Sequence, residues 1–371
     1  MEWTYRQPVE IHFGRGKLDY LPEAIRKTGA RRGLLVTSPS FVRRGIAARI
    51  MDLCGDTLSG IYSGVSPNPD VAECDACADM LRSGQCDIVV AVGGGSVIDC
   101  AKAAAAVCRG TAPAAGYLDG NPLPAGILPL IAVPTTAGTG SEVTSVAVLS
   151  DHRRGIKAPL SSDGFYPRIA IVDPSLTDTM SPYMTACTGF DVLCHAIEAY
   201  WSRNHQPVCD ALAVQAANLV LGYLPAAFAD PADTEARDQM AEASVMAGLA
   251  FAIPKTNCAH VCSYPLTARY GIPHGEACAM TIDRFIRLNG RKGSKRAVSM
   301  ARSLGFDGPD ALADAVHELK VATGMRLDLK EFRLGEADVA SLAEACMHPN
   351  MRNNAAEVTS ADLLQLFKDL V

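Results

Sequence analysis

Asp191 and His195 stand four residues apart in the run GFDVLCHAIEAYWS, a spacing that puts two side chains on one face of a helix. Two more histidines, His260 and His274, fall within FAIPKTNCAHVCSYPLTARYGIPHGEAC, residues 251–278. One carboxylate and three imidazoles make a mixed oxygen and nitrogen donor set that suits Fe²⁺, Zn²⁺ or Mn²⁺, and open positions on such an ion would make the site catalytic. A carboxylate inside the apolar run from Phe190 to Ala199 needs a partner, because burying an unpaired charge is expensive. A metal is one such partner; a hydrogen-bonded Asp–His pair is the alternative. His12, His152, His205, His317 and His348 carry no comparable pattern and read as core or surface residues. A divalent ion held by one carboxylate and three neutral imidazoles keeps a net charge of about +1 and remains a Lewis acid.

These donors follow a long stretch in which strands and helices alternate. Val9 to Phe13 reads as an edge strand or hairpin, and helical spacing follows from Leu18 to Thr28. Gly33 to Thr37 is a short apolar run bounded by turn formers, the signature of a buried parallel strand. A turn at Ser38-Pro39-Ser40, a helix through Ile50, a strand at Ile61-Tyr62, a helix near Val71 to Ser83 and a strand from Asp87 to Val92 continue the pattern. Such alternation predicts a parallel, Rossmann-like sheet with right-handed crossovers. Gly93-Gly94-Gly95-Ser96 comes next and leads into a helix from Val97 toward Cys108. Strand, glycine turn and helix N-terminus together form an anion site fit for a dinucleotide pyrophosphate, although a tight structural turn uses the same glycines.

Leu128 to Val133 forms another buried strand, which runs into Pro134-Thr135-Thr136-Ala137-Gly138-Thr139-Gly140-Ser141-Glu142. Small and hydroxyl residues there can approach the same dinucleotide closely. Val146 to Leu149 and Arg168 to Val172 read as closing strands, with Asp173-Pro174 ending the α/β region. Beyond it the spacing is helical: Thr185 to Trp201, Asp210 to Leu221, Thr234 to Ala250, Thr256 to Tyr264, Gly275 to Leu288, Lys295 to Leu304, Pro309 to Thr323 and Glu336 to Ala345. The expected organisation is an α/β dinucleotide-binding domain over 1–175 and an all-α metal-binding and substrate domain over 176–371. The cleft between them is the expected ligand site.

Composition narrows the partners. At 371 residues the chain has material for a large core, with 49% hydrophobic and 20% charged residues. A net charge of −6 argues against nucleic acid or an anionic membrane surface. The start MEWTYRQPVEIHFG has no signal-peptide pattern, and no uninterrupted apolar run reaches about 18 residues, so a cytoplasmic enzyme is expected. The thirteen cysteines are an odd number scattered through apolar segments, which fits buried thiols better than a disulfide framework. Cys74 and Cys77 form a lone C-x-x-C and read as helix residues.

The sequence resembles the iron-containing (group III) alcohol dehydrogenases through GGGSVIDCAK at 93–102, PTTAGTGSEVT at 134–144, AIVDP at 170–174, GFDVLCHAIEAY at 189–200 and IPHG at 272–275. The resemblance implies a dehydroquinate synthase-like architecture, a divalent metal with Fe²⁺ expected before Zn²⁺, NADH or NADPH as the hydride donor, and a homodimer. It implies Asp191, His195, His260 and His274 as metal ligands. It also implies Gly94, Gly95, Ser96, Asp99, Thr135, Thr136, Ser141 and Lys157 as cofactor contacts, with Ser38, Asn68 and Thr144 beside them.

Two departures from the family matter. Tyr264 stands where many members have histidine, and it either takes part in proton delivery or fills the space. Ser38 stands where NAD-selective members carry an aspartate, so NADPH is permitted, with Arg43 or Arg44 as its possible partners, and the cofactor choice stays open. The segment PKTNCAHVCSYPLT is most similar to the phosphonoacetaldehyde reductase branch. Lys255, at a helix start, with Thr256 on the face of His260 and with Asn257, is then the expected cradle for a small dianion, and Arg269 in the turn between the two histidines is a second candidate. The expected reaction is reduction of a small anionic aldehyde, phosphonoacetaldehyde to 2-hydroxyethylphosphonate. The alternatives are a general short-chain alcohol or lactaldehyde dehydrogenase, a dehydroquinate synthase-like cyclase or lyase, and a non-catalytic binding protein.

Overall fold

The computed structural model describes residues 2–371, which divide into two compact units. One contains 6–136 and 140–177; the other contains 178–371 together with 137–139 and 2–5. In the first unit the strands are β1 (Glu10–Phe13), β2 (Gly33–Thr37), β3 (Leu58–Tyr62), β4 (Ile88–Gly93), β5 (Leu130–Pro134), β6 (Val146–Asp151), β7 (Ile156–Ser161) and β8 (Ile169–Val172). Six of them form one sheet in the order β1-β8-β5-β4-β2-β3, with every pairing parallel.

Strands β2, β4, β5 and β8 are buried at every residue, and this is why they read as continuous apolar runs rather than alternating ones. The crossovers are α1 (Leu21–Thr28), α2 (Pro39–Arg43), α3 (Ile46–Cys54), α4 (Val71–Ser83), α5 (Gly95–Val107) and α6 (Ala114–Leu118). Helix α4 starts where it does because Asp70 accepts from the Ala72 N–H while Glu73 reaches back to the Asp70 N–H, a reciprocal cap. Cys74 and Cys77 are both buried on it. From β2 the chain moves outward to β3, and from β4 it moves the other way to β5. The order therefore reverses between β2 and β4, the point of an open α/β sheet where ligands collect at the carboxyl ends of strands.

Two strand expectations need correction. β6 does not close the sheet; it pairs antiparallel with β7 as a separate ribbon. The turn at 152–155 joins them, with Gly155 in the left-handed region at φ +65°. β7, with Lys157 and Pro159 inside it, gave no strand signal, and the local hairpin took β6 away from the sheet. β8 is not a closing strand either, since it lies between β1 and β5 and leaves β1 at the edge.

The second unit is helical: α7 (Pro182–Trp201), α8 (Pro207–Ala229), α9 (Thr234–Phe251), α10 (Cys258–Tyr270), α11 (His274–Arg291), α12 (Lys295–Ser303), α13 (Pro309–Ala322), α14 (Glu336–Ala345) and α15 (Ser360–Lys368). Helix α7 is buried from Gly189 to Trp201, a central helix wrapped by the others. Helix α8 is long and apolar enough to cross a membrane by composition alone, yet it packs on α7 and α9 with Ala213, Ala216, Ala217, Val220 and Leu224 buried. Helix α11 approaches α7 so closely that a Cβ on Gly275 would lie 1.9 Å from the Cys187 carbonyl oxygen, so only glycine fits there.

Candidate metal centre and nucleotide cradle

Three helices bring the four predicted metal-binding residues together. Asp191 and His195 lie one turn apart on α7, His260 lies in the first turn of α10, and His274 is the first residue of α11. The Asp191 Oδ1 atom stands 3.6 Å from His195 Nδ1, 3.4 Å from His260 Nε2 and 3.7 Å from His274 Nε2. Asp191 Oδ1, His195 Nδ1 and His260 Nε2 are buried and have no hydrogen-bond partner. Orphaned polar atoms of this kind cost free energy in an apolar core unless something binds them. Four ligands about 2.1 Å from a tetrahedral ion would stand about 3.4 Å apart, and the three distances from Asp191 Oδ1 fit that spacing, although His195 is not among the donors that all lie within 4.8 Å of one another. The alternative of a hydrogen-bonded Asp191–His195 pair does not fit, because 3.6 Å is too long for that bond.

The surroundings select the ring nitrogens that face inward. Glu198, two turns along α7 from Asp191, is fully buried, and its Oε2 lies 2.8 Å from His260 Nδ1. The same carboxylate accepts the backbone N–H groups of Asn257, Ala259 and His260, so the N-terminus of α10 closes around it. With Nδ1 donating to Glu198, the neutral form of His260 carries its lone pair on Nε2. Ser263 Oγ donates to the His260 carbonyl oxygen and lies 3.1 Å from His274 Nδ1, which leaves the lone pair of His274 on Nε2 as well. His195 is held by stacking on Phe251, with ring centroids 4.1 Å apart and planes 12° from parallel.

Electrostatics follow from this packing. Burial pushes the Asp191 carboxyl up, but the interactions with His195, His274 and His260 outweigh it and hold the group well below the usual carboxylate range. Burial dominates at His195 and lowers it to about 4, so that ring is neutral. At His260 burial is overcome by Glu198 and Asp191 on either side, and the ring is pushed up to about 9. A metal would have to displace that proton, so metal uptake here is proton-coupled.

The residues expected to hold an anionic tail are placed less uniformly. Helix α10 begins at Cys258, so Lys255 and Thr256 lie in the loop before it and Thr256 is not on the helix face of His260. Lys255 adopts φ +66°, a left-handed conformation uncommon outside glycine, and its N–H closes the end of α9 on the Phe251 carbonyl. Asn257 is the cap of α10 and fully buried. Its Oδ1 accepts from the Trp201 indole and the Cys258 N–H, and its Nδ2 donates to the Glu198 carbonyl, so it braces Glu198 rather than meeting a ligand. Arg269 is not in a turn. It is exposed near the end of α10, half a revolution from His260, and donates to Ser341 Oγ; Pro265 likewise lies within the helix. Tyr264 does share the face of His260, one turn on, and meets the His348 ring edge-on at 6.1 Å. Burial, with the nearby Cys278, Glu198 and Asp191, pushes its phenol well above the ordinary value, so it keeps its proton.

In the sheet unit the predicted cofactor residues gather at the carboxyl ends of β2, β4 and β5. Ser38 follows β2 and caps α2, with its Oγ 2.8 Å from Ser40 Oγ. Gly94 is the first cap of α5, without a side-chain cap, so the amides of Gly95 and Ser96 have no side-chain acceptor from the cap. A Cβ on Gly94 would stand 3.3 Å from the Thr136 side chain, so the glycine keeps that space open. Thr135 donates its N–H to the Gly93 carbonyl. Asn68, at φ +56°, is tied to both sides: its N–H donates to Ser96 Oγ and its Oδ1 accepts from Lys157 Nζ at 2.8 Å. Asp99 accepts from Ser141 Oγ at 2.6 Å and from the Val148 N–H. Lys102, fully buried, donates to the Ser141 carbonyl, Ser141 Oγ, Thr144 Oγ1 and the Val146 carbonyl. Asp99, Ser141, Thr144 and Lys102 thus form one network that fixes the loop after β5.

Glu198, Ser263, Cys278 and Lys102 were not singled out by sequence reasoning. Glu198 carried the same signal as Asp191, a carboxylate inside an apolar helix, and Lys102 the corresponding one in α5; Cys278 carried the four-residue spacing from His274 that Asp191 has to His195, and Ser263 carried none. The sulfur of Cys278 joins the donor atoms of Asp191, His260 and His274, all within 4.8 Å of one another.

Comparison with known proteins agrees with both halves. Residues 8–174 match the model of the iron-containing alcohol dehydrogenases, and residues 185–371 match that of the C-terminal part of the Fe-containing alcohol dehydrogenase family. Alcohol dehydrogenase 4 of Saccharomyces cerevisiae is 31% identical across 98% of this chain and 97% of its own. The lactaldehyde reductase of Escherichia coli strain K12 is 30% identical across 96% of each. The solved sulfoacetaldehyde reductase of Bifidobacterium kashiwanohense, in complex with NAD⁺, superposes with a TM-score of 0.96 at 48% identity, covering 100% of this chain and 99% of that one.

Proposed function

This chain belongs to the iron-containing alcohol dehydrogenase family, and from that premise we propose that it reduces a small aldehyde carrying a tetrahedral anionic group, sulfonate or phosphonate, with NADH. What supports the substrate class is the solved relative at 48% identity, together with Lys255 as a cation in the loop that leads into α10. The relative at 48% identity is named for a two-carbon aldehyde with a sulfonate, and the PKTNC segment resembles the phosphonate branch.

In this reading Asp191, His195, His260 and His274 hold the divalent ion. When bound, that ion polarises a carbonyl, and the nicotinamide supplies the hydride. The chain does the rest. Glu198 and Ser263 hold the imidazole tautomers that point Nε2 inward. Tyr264, protonated and one turn from His260, lines the space beside the carbonyl, and the proton that completes the hydroxyl comes from solvent. Gly94, Gly95 and Ser96 take the pyrophosphate, and the Asp99–Ser141–Lys102 network with Asn68 and Lys157 sets the walls around it. Lys255 takes the anionic tail.

The test measures NADH oxidation by Fe²⁺-loaded protein with sulfoacetaldehyde, phosphonoacetaldehyde, lactaldehyde and a simple aldehyde. Asparagine tolerates the left-handed region, so Lys255→Asn removes the charge without an added backbone penalty. In that variant kcat/KM should fall about 30-fold for the anionic aldehydes and stay within about twofold for the neutral ones. An equal fall for all four would discard the tail-binding role. Preference for lactaldehyde in the wild type would favour a general short-chain dehydrogenase, and turnover without net NADH consumption would favour a cyclase.

A further inference from the structure

We propose that Cys278 is a sulfur donor to the metal of this site, an additional ligand beside the oxygen and nitrogen set; the inference rests on the metal-ligand reading given above. Cys278 lies on α11 one turn after His274, the spacing that puts both side chains on one face. It is fully buried, and its sulfur is within 4.8 Å of the donor atoms of Asp191, His260 and His274. What brings it there is the close approach at Gly275, where α11 rests against the Cys187 carbonyl and the Asp191 Cβ. Asp191 Oδ1 and His260 Nε2, both buried and without partners, are aimed into the same space.

Coordination balances simply. The Cys278 S–H bond breaks, its proton passes to solvent, and the sulfur pair forms the bond to the ion with no change of oxidation state. A thiolate with Asp191 brings a divalent ion to zero net charge, which retains the ion more firmly and makes it a weaker Lewis acid than the oxygen and nitrogen set alone. The same donor tilts the site toward softer ions, zinc and cobalt over manganese.

The experiment loads the full-length protein with Co²⁺ and records its absorption. The visible ligand-field bands report the Asp191 and histidine set; a sulfur-to-cobalt charge-transfer band in the near ultraviolet reports Cys278. The band should be present in the wild type and absent in both Cys278→Ser and Cys278→Ala, with the visible bands kept. Cys194→Ala, which removes a neighbouring buried thiol on α7, should keep it. Competition between Zn²⁺ and Mn²⁺ should lose about tenfold of its zinc preference in Cys278→Ser. A wild type with visible bands and no charge-transfer band, or a band that survives both Cys278 variants, overturns the proposal while leaving the ligand set intact. Loss of the visible bands from the wild type itself would overturn the underlying reading.

Discussion

Around Asp191 the atoms that face a ligand belong to side chains whose polar partners are missing inside an apolar helical core. Around Gly94 they are backbone N–H groups that missing side chains uncover. The first arrangement stores an electrostatic debt, since Asp191 Oδ1 and His260 Nε2 are buried without partners, and a bound cation relieves it. The second stores none, because an α-helix N-terminus in an open cradle is solvated until a phosphate replaces the water. Removing a donor should therefore cripple the helical site, and filling space should cripple the sheet site.

The largest expected effect comes from removing a donor. His260→Ala deletes one nitrogen of the set and also leaves Glu198, fully buried, without its imidazole partner. Metal content should drop below detection after dialysis, and kcat/KM for aldehyde reduction should fall by about a thousandfold or more. NADH binding, followed by fluorescence titration, should stay within about twofold. A variant that kept its metal would break the contrast at its strongest point.

Next comes filling space. Gly94→Val places branched carbon where even a Cβ stands 3.3 Å from Thr136. The KM for NADH should rise about a hundredfold with metal content unchanged, the mirror image of the His260 variant. A smaller effect sharpens the helical side. Glu198→Gln keeps the shape of the brace but removes its charge, and metal affinity should fall about 10- to 100-fold while the protein stays folded. Equilibrium dialysis against a metal buffer reads this directly, and unchanged affinity would mean that the backbone amides of α10, rather than the charge of Glu198, orient His260.

The same contrast explains what the sequence disclosed. The cradle lies in short-range patterns, glycines after an apolar run, and Asp70 with Glu73 marks the start of α4 to the residue. That Asp191, His195, His260 and His274 come together was legible from one carboxylate in an apolar helix and from histidines clustered in two short segments. Glu198 stands in the same apolar run, but its partners, the N–H groups and the imidazole at the start of α10, lie 59 to 62 residues further along the chain, beyond any local pattern. Asn257 was misjudged for a different reason. Its type suits both ligand contact and helix capping, and only the start of α10 at Cys258 decides between them. Arg269 depended on placing a helix end, and α10 runs through Pro265 because its first turns are anchored by Glu198. Likewise β6 was recognised as a strand, but its partner was set by a local turn that periodicity does not show.

The smallest effect concerns one of the charged groups that the sheet unit buries. Glu142, in the loop after β5, is 2% exposed, and burial, opposed in part by its own backbone N–H and by Lys102, pushes its carboxyl up to about 7. Its ordinary value is 4.5, so between pH 4.5 and 7 the folded protein holds a proton that the unfolded chain has lost. Stability from this group is complete below pH 4.5 and is lost as the pH rises through 7, with a total on the order of 3 kcal/mol. Glu142→Gln should remove that slope. Between pH 5 and pH 7.5 the urea midpoint of the wild type should fall relative to that of the variant, which should be the more stable protein at pH 7.5. The readout is the difference between the two proteins, because His195 at about 4 and His260 at about 9 also exchange protons relative to the unfolded chain in this window and do so alike in both. Parallel slopes in the two proteins would show that Glu142 is ionised and paired in the fold, and that the sheet unit, like the helical one, carries a charge that a neighbour satisfies.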